Sequence, residues 1–355
     1  MACKFYPYLW IMFIFTMQYY YYSTEGAPQV PCYFVFGDSL YDNGNNNLLV
    51  TLAKSKYPPY GIDFPQGPTG RFTNGLNMAD VIATLLGFDH YIPPFATATG
   101  PVIRQGVNYA SGAAGILNES GSNQGDRVTM NEQLANHRIT IARITNMLTN
   151  SSDVVDLLSK CIYTVDMGPN DYLNNYLLKT TRPPPEEFAD QLIAVYTQQL
   201  KDLYEEGARK VAVFGIGPIG CTPRVLATFP RNGSQCVDFV NIAVYIFNTK
   251  LVSLVSGINA NLTDAKFTYI DSLGIGAADL TPIGVKFLNV SCCPVINGQD
   301  LCIPSLPPCA NRSEYAFWDG VHPTENLNVY TAGRAYTALL PTDAVPYDIS
   351  DLARL

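Results

Sequence analysis

The chain has 355 residues, of which 47% are hydrophobic and only 15% are charged, so it can fill a sizeable core. The 30 acidic residues outnumber the 22 basic residues, which gives a formal net charge of -8, and the chain has no cluster rich in Lys and Arg. Because a surface of that sign repels polyanions, nucleic acid is excluded as an expected partner.

The first residues of the chain predict secretion. Lys4 precedes an apolar run at about residues 9–22, and small residues follow it up to Ala27. We interpret residues 1–26 as a secretory signal peptide that is cleaved near position 26 or 27. An uncleaved membrane anchor is the alternative, but the run is shorter than the ~20 residues that a span needs. After cleavage, residues 27–355 are expected to contain no stable transmembrane segment.

Two further features suit a secretory compartment. Six Asn-X-Ser/Thr sequons without proline in the middle position predict N-linked glycans. Cys3 leaves with the signal peptide, so eight of the 9 cysteines remain, and disulfides persist in such a compartment. We therefore expect a secreted glycoprotein. The sequons are at Asn118, Asn150, Asn232, Asn261, Asn289 and Asn311.

The spacing of the remaining cysteines predicts local disulfides. Cys221 and Cys236 bracket one loop and are the easiest pair to propose, and four more cysteines crowd a loop rich in Pro and Gly. A zinc site competes for these four, but it lacks His or further Cys at the usual ligand spacing. Cys32 and Cys161 lie in apolar runs, so we expect buried thiols there. The four crowded cysteines are Cys292, Cys293, Cys302 and Cys309.

Short apolar runs alternate with helical patterns along the chain. Runs without polar alternation are typical of a parallel sheet that is covered on both faces. Between them, apolar residues at helical spacing predict helices at about 188–203, 237–258 and 323–340. The alternation indicates one doubly wound α/β domain over residues 27–355. The predicted strands are residues 32–36, 106–109, 161–165, 211–216 and 266–270.

The segment FVFGDSL places Ser39 at the carboxyl end of the first predicted strand. Sites form at that edge of open α/β sheets, so Ser39 is a candidate nucleophile. An ordinary turn or helix cap is the alternative interpretation. The G-x-S-x-G pattern of the common α/β-hydrolases is absent from the sequence.

Three histidines are available as a base for this serine. His90 and His137 are expected at the surface or as capping residues. His322 lies in FWDGVHPT, three residues after Asp319, so the Asp319 carboxylate can reach the imidazole Nδ1-H and leave Nε2 free to accept a proton from Ser39. A capping Asp and a loop His are the alternative.

Two segments after successive predicted strands could supply an oxyanion hole. NYASGAAG places Gly112 where a backbone N-H can approach a ligand closely, and MGPND supplies the side-chain amide of Asn170. Either segment could serve only as a turn, since Gly and Asn dominate turns. Asp166 adds a charge near Asn170 to which the sequence assigns no role.

Together these segments resemble the GDSL esterase/lipase family, also called SGNH hydrolases, and most closely its secreted plant branch. The resemblance extends over essentially the whole mature chain, and the order of the motifs makes it specific. It implies a three-layer, doubly wound, flavodoxin-like α/β fold with a mostly parallel five-stranded sheet. The motifs are FVFGDSLYDNGNNN, GRFTNG, GVNYASGAAGIL, MGPNDYLNNY, GARKVAVFGIGPIGCTPR, the Cys292-Cys293 loop, FWDGVHPTE and DISDLARL.

The resemblance also implies a mechanism. Ser39 is the expected nucleophile, His322 the general base and then acid, and Asp319 the residue that orients His322. The N-H groups of Ser39 and Gly112 and the Asn170 side chain form the expected oxyanion hole. The implied enzyme is an extracellular or cell-wall hydrolase of lipid or other acyl esters that needs no metal or cofactor.

Two other functions remain open at this point. The same acyl-enzyme could transfer its acyl group to an alcohol, which is acyltransferase activity. A non-catalytic, wall-associated binding glycoprotein could also keep this scaffold.

Overall fold

The computed structural model describes residues 27–148 and 151–355. The predicted signal peptide and the sequon at Asn150 lie outside the described residues. The other five sequon asparagines are all exposed.

The central sheet has five strands, as predicted, in the order β1-β2-β3-β4-β7. The first four are parallel, and β7 pairs with β4 in the antiparallel direction at one edge. Strands β5 and β6 form a separate two-stranded sheet. The strands are β1 Tyr33–Gly37, β2 Ile162–Asp166, β3 Lys210–Phe214, β4 Lys266–Ile270, β5 Phe287–Ser291, β6 Tyr315–Phe317 and β7 Ala344–Val345.

The prediction of a full strand at residues 106–109 is wrong. This segment joins β1 through the single parallel bridge Val35–Asn108 and the flanking bonds from Val35 N-H to Val107 O and from Tyr109 N-H to Val35 O. A regular ladder does not continue because the Gly37 N-H donates to the Gln133 side chain, although the Ser111 N-H still donates to the Gly37 carbonyl oxygen. The segment nevertheless lies beside β1, where a flavodoxin-like sheet has its second strand.

Ten α-helices connect and cover the strands within the described residues. The predicted helices at 188–203 and 237–258 are confirmed and slightly longer, whereas the one predicted at 323–340 is shorter at both ends. The helices are α1 Met78–Leu85, α2 Met130–Met147, α3 Ser151–Lys160, α4 Pro169–Leu173, α5 Pro185–Glu205, α6 Pro223–Thr228, α7 Asp238–Asn261, α8 Ser272–Gly276, α9 Glu325–Tyr336 and α10 Ile349–Arg354.

The sheet separates two hydrophobic clusters, which makes the fold three-layered. Side chains of β1 alternate between them: Phe34 and Phe36 pack with helices α2, α5 and α7, whereas Tyr33 and Val35 pack with α1, α9 and α10. Both faces of the sheet are therefore buried, which explains why its strands lack polar alternation.

One helix among the described residues, α7, is long and apolar enough to cross a membrane. Its residues Val240, Phe247 and Leu251 are buried in the core that packs on the sheet. A core helix of this composition passes the same test, so the finding is weak support for a membrane span.

Four disulfides connect the eight cysteines of residues 27–355. The predicted pair Cys221–Cys236 is present, and the Cys-rich loop holds Cys292–Cys309 and Cys293–Cys302, as expected for local disulfides. The prediction of free thiols at Cys32 and Cys161 is wrong, because these two residues are also bonded. Cys32 directly precedes Tyr33, the first residue of β1, and Cys161 directly precedes Ile162, the first residue of β2. Because Tyr33 and Ile162 are partners in the sheet register, the two cysteines lie side by side.

Candidate active site

Ser39 lies at the carboxyl end of β1, where the sequence places it. A tight turn follows the strand, closed by bonds from the N-H groups of Tyr41 and Asp42 to the Asp38 carbonyl oxygen and from Leu40 N-H to the Asp38 carboxylate. The turn leaves Ser39 partly exposed. Segment 106–109 and β2 flank β1 on opposite sides, so the chain order reverses at β1, and such a point is the usual ligand site of open α/β sheets.

The three residues predicted as a triad lie together in the structure. The Ser39 Oγ is 2.8 Å from the His322 Nε2, and the His322 Nδ1 is 2.7 Å from the Asp319 Oδ2. Asp319 Oδ1 accepts the N-H groups of Val321 and His322, so the carboxylate also closes its own loop. The serine and the Asp-His pair are 283 residues apart in sequence, so the fold itself brings them together.

The electrostatic surroundings of His322 favour a base. Burial lowers its pKa, but the charge of Asp319 and its hydrogen bond to Nδ1, with smaller effects of Asp300 and Asp38, raise the pKa above the ordinary 6.5. The Phe72 ring lies tilted over the imidazole with ring centroids 5.0 Å apart, which limits its rotation. His322 is thus oriented on three sides, by Asp319, Ser39 and Phe72.

The other two histidines lie away from Ser39. His90 is partly exposed in a loop, with its Nδ1 2.7 Å from the Asp89 carboxylate. The prediction that His137 is a surface or capping residue is wrong, because it is fully buried on helix α2 among aromatic rings of the sheet. Burial lowers the pKa of His137 to about 3.

The structure contradicts the prediction that the Gly112 N-H is available to a ligand. This N-H donates to the buried Asp42 Oδ2 at 3.0 Å, and the Gly112 carbonyl oxygen accepts Asn46 Nδ2. A Cβ at this position would lie 2.8 Å from both Asn46 Nδ2 and the Phe72 ring. Gly112 is therefore needed for close packing of two loops, and its polar groups are already used.

Ala113, the next residue, faces the site instead. Its φ of 68° is in the left-handed region, which costs a non-glycine residue about 1–2 kcal/mol. Ala113 and Ser39 both line the same cavity. Within the described part of the chain, neither the Ala113 N-H nor the Ser39 N-H has a hydrogen-bond acceptor.

Asn170 lies in the first turn of α4 and lines the cavity, as predicted. Asn174 Nδ2 donates to its Oδ1 at 2.7 Å, which fixes the orientation of the amide. The Nδ2 of Asn170 then donates to the Asp38 Oδ2 and the Ala114 carbonyl oxygen, both at 3.0 Å. A ligand oxygen must replace one of these two acceptors to bind this amide.

Two buried carboxylates lie at the cavity wall: Asp38 directly follows β1, and Asp166 is the last residue of β2. Burial raises the pKa of Asp38 to about 7, although the Leu40 N-H and the charge of His322 oppose the shift. Burial, and then the charge of Asp38, raise the pKa of Asp166 well above its usual range. Burial and the neighbouring Asp38 thus both disfavour the charge that the sequence places at Asp166.

The cavity at this edge has a volume of about 510 Å³. Most of the residues that surround the polar centre are apolar, as is usual for small-molecule sites. Among the described residues, no group of three or more His, Cys, Asp or Glu is placed to hold a metal ion. The apolar lining includes Leu40, Ala53, Phe72, Met78, Ile219, Leu273, Leu280, Leu288 and Leu301.

Known proteins resemble this chain over most of its length. A family model described as GDSL-like lipase/acylhydrolase matches residues 33–333. Three GDSL esterase/lipases of Arabidopsis thaliana are 49%, 49% and 48% identical to this chain; the matches cover 93%, 93% and 94% of it and 94% of each relative. A solved carbohydrate esterase matches with a TM-score of 0.34 and 12% identity, over 69% of this chain and 60% of that one.

The solved structure is too distant to add to the argument, whereas the family model and the plant relatives span nearly the whole chain. They confirm the predicted family, and the mainly parallel sheet with helices on both faces agrees with the fold that the family implies. The chain therefore belongs to the GDSL esterase/lipase family and is a carboxylic ester hydrolase.

Proposed function

We propose that this protein is a secreted serine hydrolase that cleaves lipid or other acyl esters through an acyl-enzyme on Ser39. The observation that carries the proposal is the hydrogen-bonded series from Ser39 Oγ to His322 Nε2 and from His322 Nδ1 to Asp319, at 2.8 Å and 2.7 Å. A serine needs such a base, and the base needs an orienting group.

The reaction has two steps. His322 accepts the hydroxyl proton as Ser39 Oγ attacks the ester carbonyl, and the protonated imidazole then donates that proton to the departing alcohol. Water attacks the acyl-enzyme with His322 again as base, which releases the acid and restores Ser39. The N-H groups of Ser39 and Ala113 and the amide of Asn170 stabilise the oxyanion of each tetrahedral intermediate.

Secretion is supported by three features: the apolar N-terminal segment, the disulfides and the exposed sequons. Acyl esters as substrates are supported by the apolar lining of the cavity beside Ser39. An alcohol acceptor in place of water would make the same acyl-enzyme an acyltransferase. Product analysis with an added alcohol separates the two, since hydrolysis yields the free acid and transfer yields a new ester.

The test is hydrolysis of a short-chain p-nitrophenyl ester by protein secreted from a glycosylating host, with Ser39→Ala alongside. Wild type is expected to turn over, and the variant to lose at least ~10³-fold in kcat because it has no nucleophile. Equal activity of the two folded proteins would refute the role of Ser39. If neither is active, the non-catalytic alternative gains support.

A further inference from the structure

The carboxylate of Asp319 accepts more hydrogen bonds than the triad requires. Its Oδ1 accepts the N-H groups of Val321 and His322, and its Oδ2 faces His322 Nδ1 at 2.7 Å. Oδ2 also accepts the hydroxyl of Tyr60, at 2.6 Å. Tyr60 is the one donor of these that comes from a distant part of the chain, 259 residues away.

The surroundings of Tyr60 fix the direction of this hydrogen bond. Tyr60 is 1% exposed and Asp319 is 0% exposed, so water does not compete for either group. The Tyr60 oxygen accepts the Cys302 N-H at 3.1 Å. Because a carboxylate accepts and a backbone N-H can only donate, the single hydrogen of the hydroxyl is donated to Asp319.

Cys302, which donates its N-H to the Tyr60 oxygen, belongs to a loop that is hydrogen-bonded to the residues on both sides of Asp319. The Cys293–Cys302 disulfide closes this loop, and its Cys293 N-H donates to the Trp318 carbonyl oxygen at 2.8 Å. Gly320 N-H donates to the Asp300 carbonyl oxygen of the same loop at 2.7 Å. The residues before and after Asp319 are thus bonded to the loop that also holds the Tyr60 oxygen.

We propose that Tyr60 is a positioning residue of the catalytic centre, held by the disulfide-closed loop 293–302, and that its hydroxyl keeps Asp319 Oδ2 directed at His322 Nδ1. Tyr60 touches neither the substrate nor the reacting atoms. The proposal rests on the proposed function, since it takes His322 as the base.

Loss of the hydroxyl has two physical consequences. Asp319 Oδ2 loses one of its two donors, so it becomes a stronger acceptor for a protonated His322, and the pKa of His322 rises. The carboxylate also gains freedom to rotate, which makes the orientation of His322 less defined. The other carboxylates that act on His322 are Asp300 and Asp38, and neither has a hydrogen bond to Tyr60.

The variant that tests the proposal is Tyr60→Phe, with Tyr57→Phe as its matched control. Tyr57 donates its hydroxyl to the Cys302 carbonyl oxygen at 2.9 Å, so it contacts the same loop without a bond to Asp319. Both substitutions remove one hydroxyl, and only one of these hydroxyls touches the catalytic carboxylate.

The measurement is the pH dependence of kcat/KM for a p-nitrophenyl ester. For Tyr60→Phe we expect the acid limb to move up by about 0.5 pH unit or more. We expect kcat to fall about 3- to 30-fold, which corresponds to one hydrogen bond, and KM to stay within about twofold. For Tyr57→Phe we expect the acid limb to stay at its wild-type pH. A Tyr60→Phe limb that does not move refutes the proposal, even if the variant melts at a lower temperature.

An NMR titration of the histidine rings in the full chain gives the same answer without a substrate. Only three histidines are present, and burial keeps His137 neutral near pH 7. The His322 ring should titrate at higher pH in Tyr60→Phe and unchanged in Tyr57→Phe; identical titrations in both would overturn the proposal. If wild type hydrolyses no ester, the proposed function fails, while this titration still tests the contact of Tyr60 with Asp319.

Discussion

Two buried histidines of this protein have opposite chemistry. His137 on helix α2 lies among the rings of Phe34, Phe36, Tyr109 and Tyr163. No carboxylate of the described residues bonds to it, and burial lowers its pKa to about 3. His322 is almost as buried, but the charge and hydrogen bond of Asp319, together with the charges of Asp300 and Asp38, outweigh burial and raise its pKa.

The difference shows that burial alone does not make a catalytic base. An imidazole that lies among aromatic rings remains neutral and accepts no proton near pH 7, so it acts as a packing group. An imidazole paired with a carboxylate gains a proton readily, and its second nitrogen can serve a nucleophile. The partner of the histidine, more than its burial, decides which role it has.

The largest expected effect on activity comes from replacing each of the two histidines separately. His322→Ala is expected to lower kcat by about 10⁴-fold or more, because no other described group reaches Ser39 Oγ as a base. His137→Leu replaces a ring that has one hydrogen bond, to Tyr109, and should keep activity within about threefold. Rates on a p-nitrophenyl ester and melting curves measure both. Equal losses of kcat in the two variants would show that the two histidines do not differ in their role in catalysis.

A smaller loss of activity is expected from a substitution in the proposed oxyanion hole, which leaves both histidines in place. Asn170→Ala removes the only side-chain donor of the proposed hole and should lower kcat by about 10²-fold or more. The acid limb of the pH profile should change little by comparison, because the triad keeps its contacts. Asn174→Ala is a useful second variant, since it removes the bond that orients the Asn170 amide, together with a bond from Arg224, and leaves Asn170 itself in place. A loss below threefold in Asn170→Ala would remove Asn170 from the hole.

Local rules identify Ser39, Asp319 and His322 as candidates for the proposed triad. A turn or a helix cap is the alternative at each of these positions, and the family resemblance is what implies their roles. Ser39 comes two residues after an apolar strand, and a carboxylate three residues before His322 can return to its Nδ1. Alternating apolar runs also predict the layers of the fold, since buried parallel strands need no polar face.

Features that depend on contacts between residues far apart in the sequence could not be predicted from the sequence. The segment SGAAG has several small residues in a row, and only the bond of Gly112 to Asp42 shows that the Ala113 N-H is the free one. The Cys32–Cys161 disulfide depends on strand register, which the runs alone do not reveal. Tyr60 lies in YPPYG, a stretch whose link to Asp319 appears only when the chain is folded.

The measurement that tests the central claim most directly is labelling with a fluorophosphonate, followed by peptide mass spectrometry at a series of pH values. We predict one adduct, on Ser39. Because His322 must be neutral to accept the proton, and its pKa is raised, the labelling rate should be highest at alkaline pH and fall as the pH drops through a value above 6.5. An adduct on another residue, no adduct on folded protein, or a rate that stays constant down to pH 5 would contradict the claim.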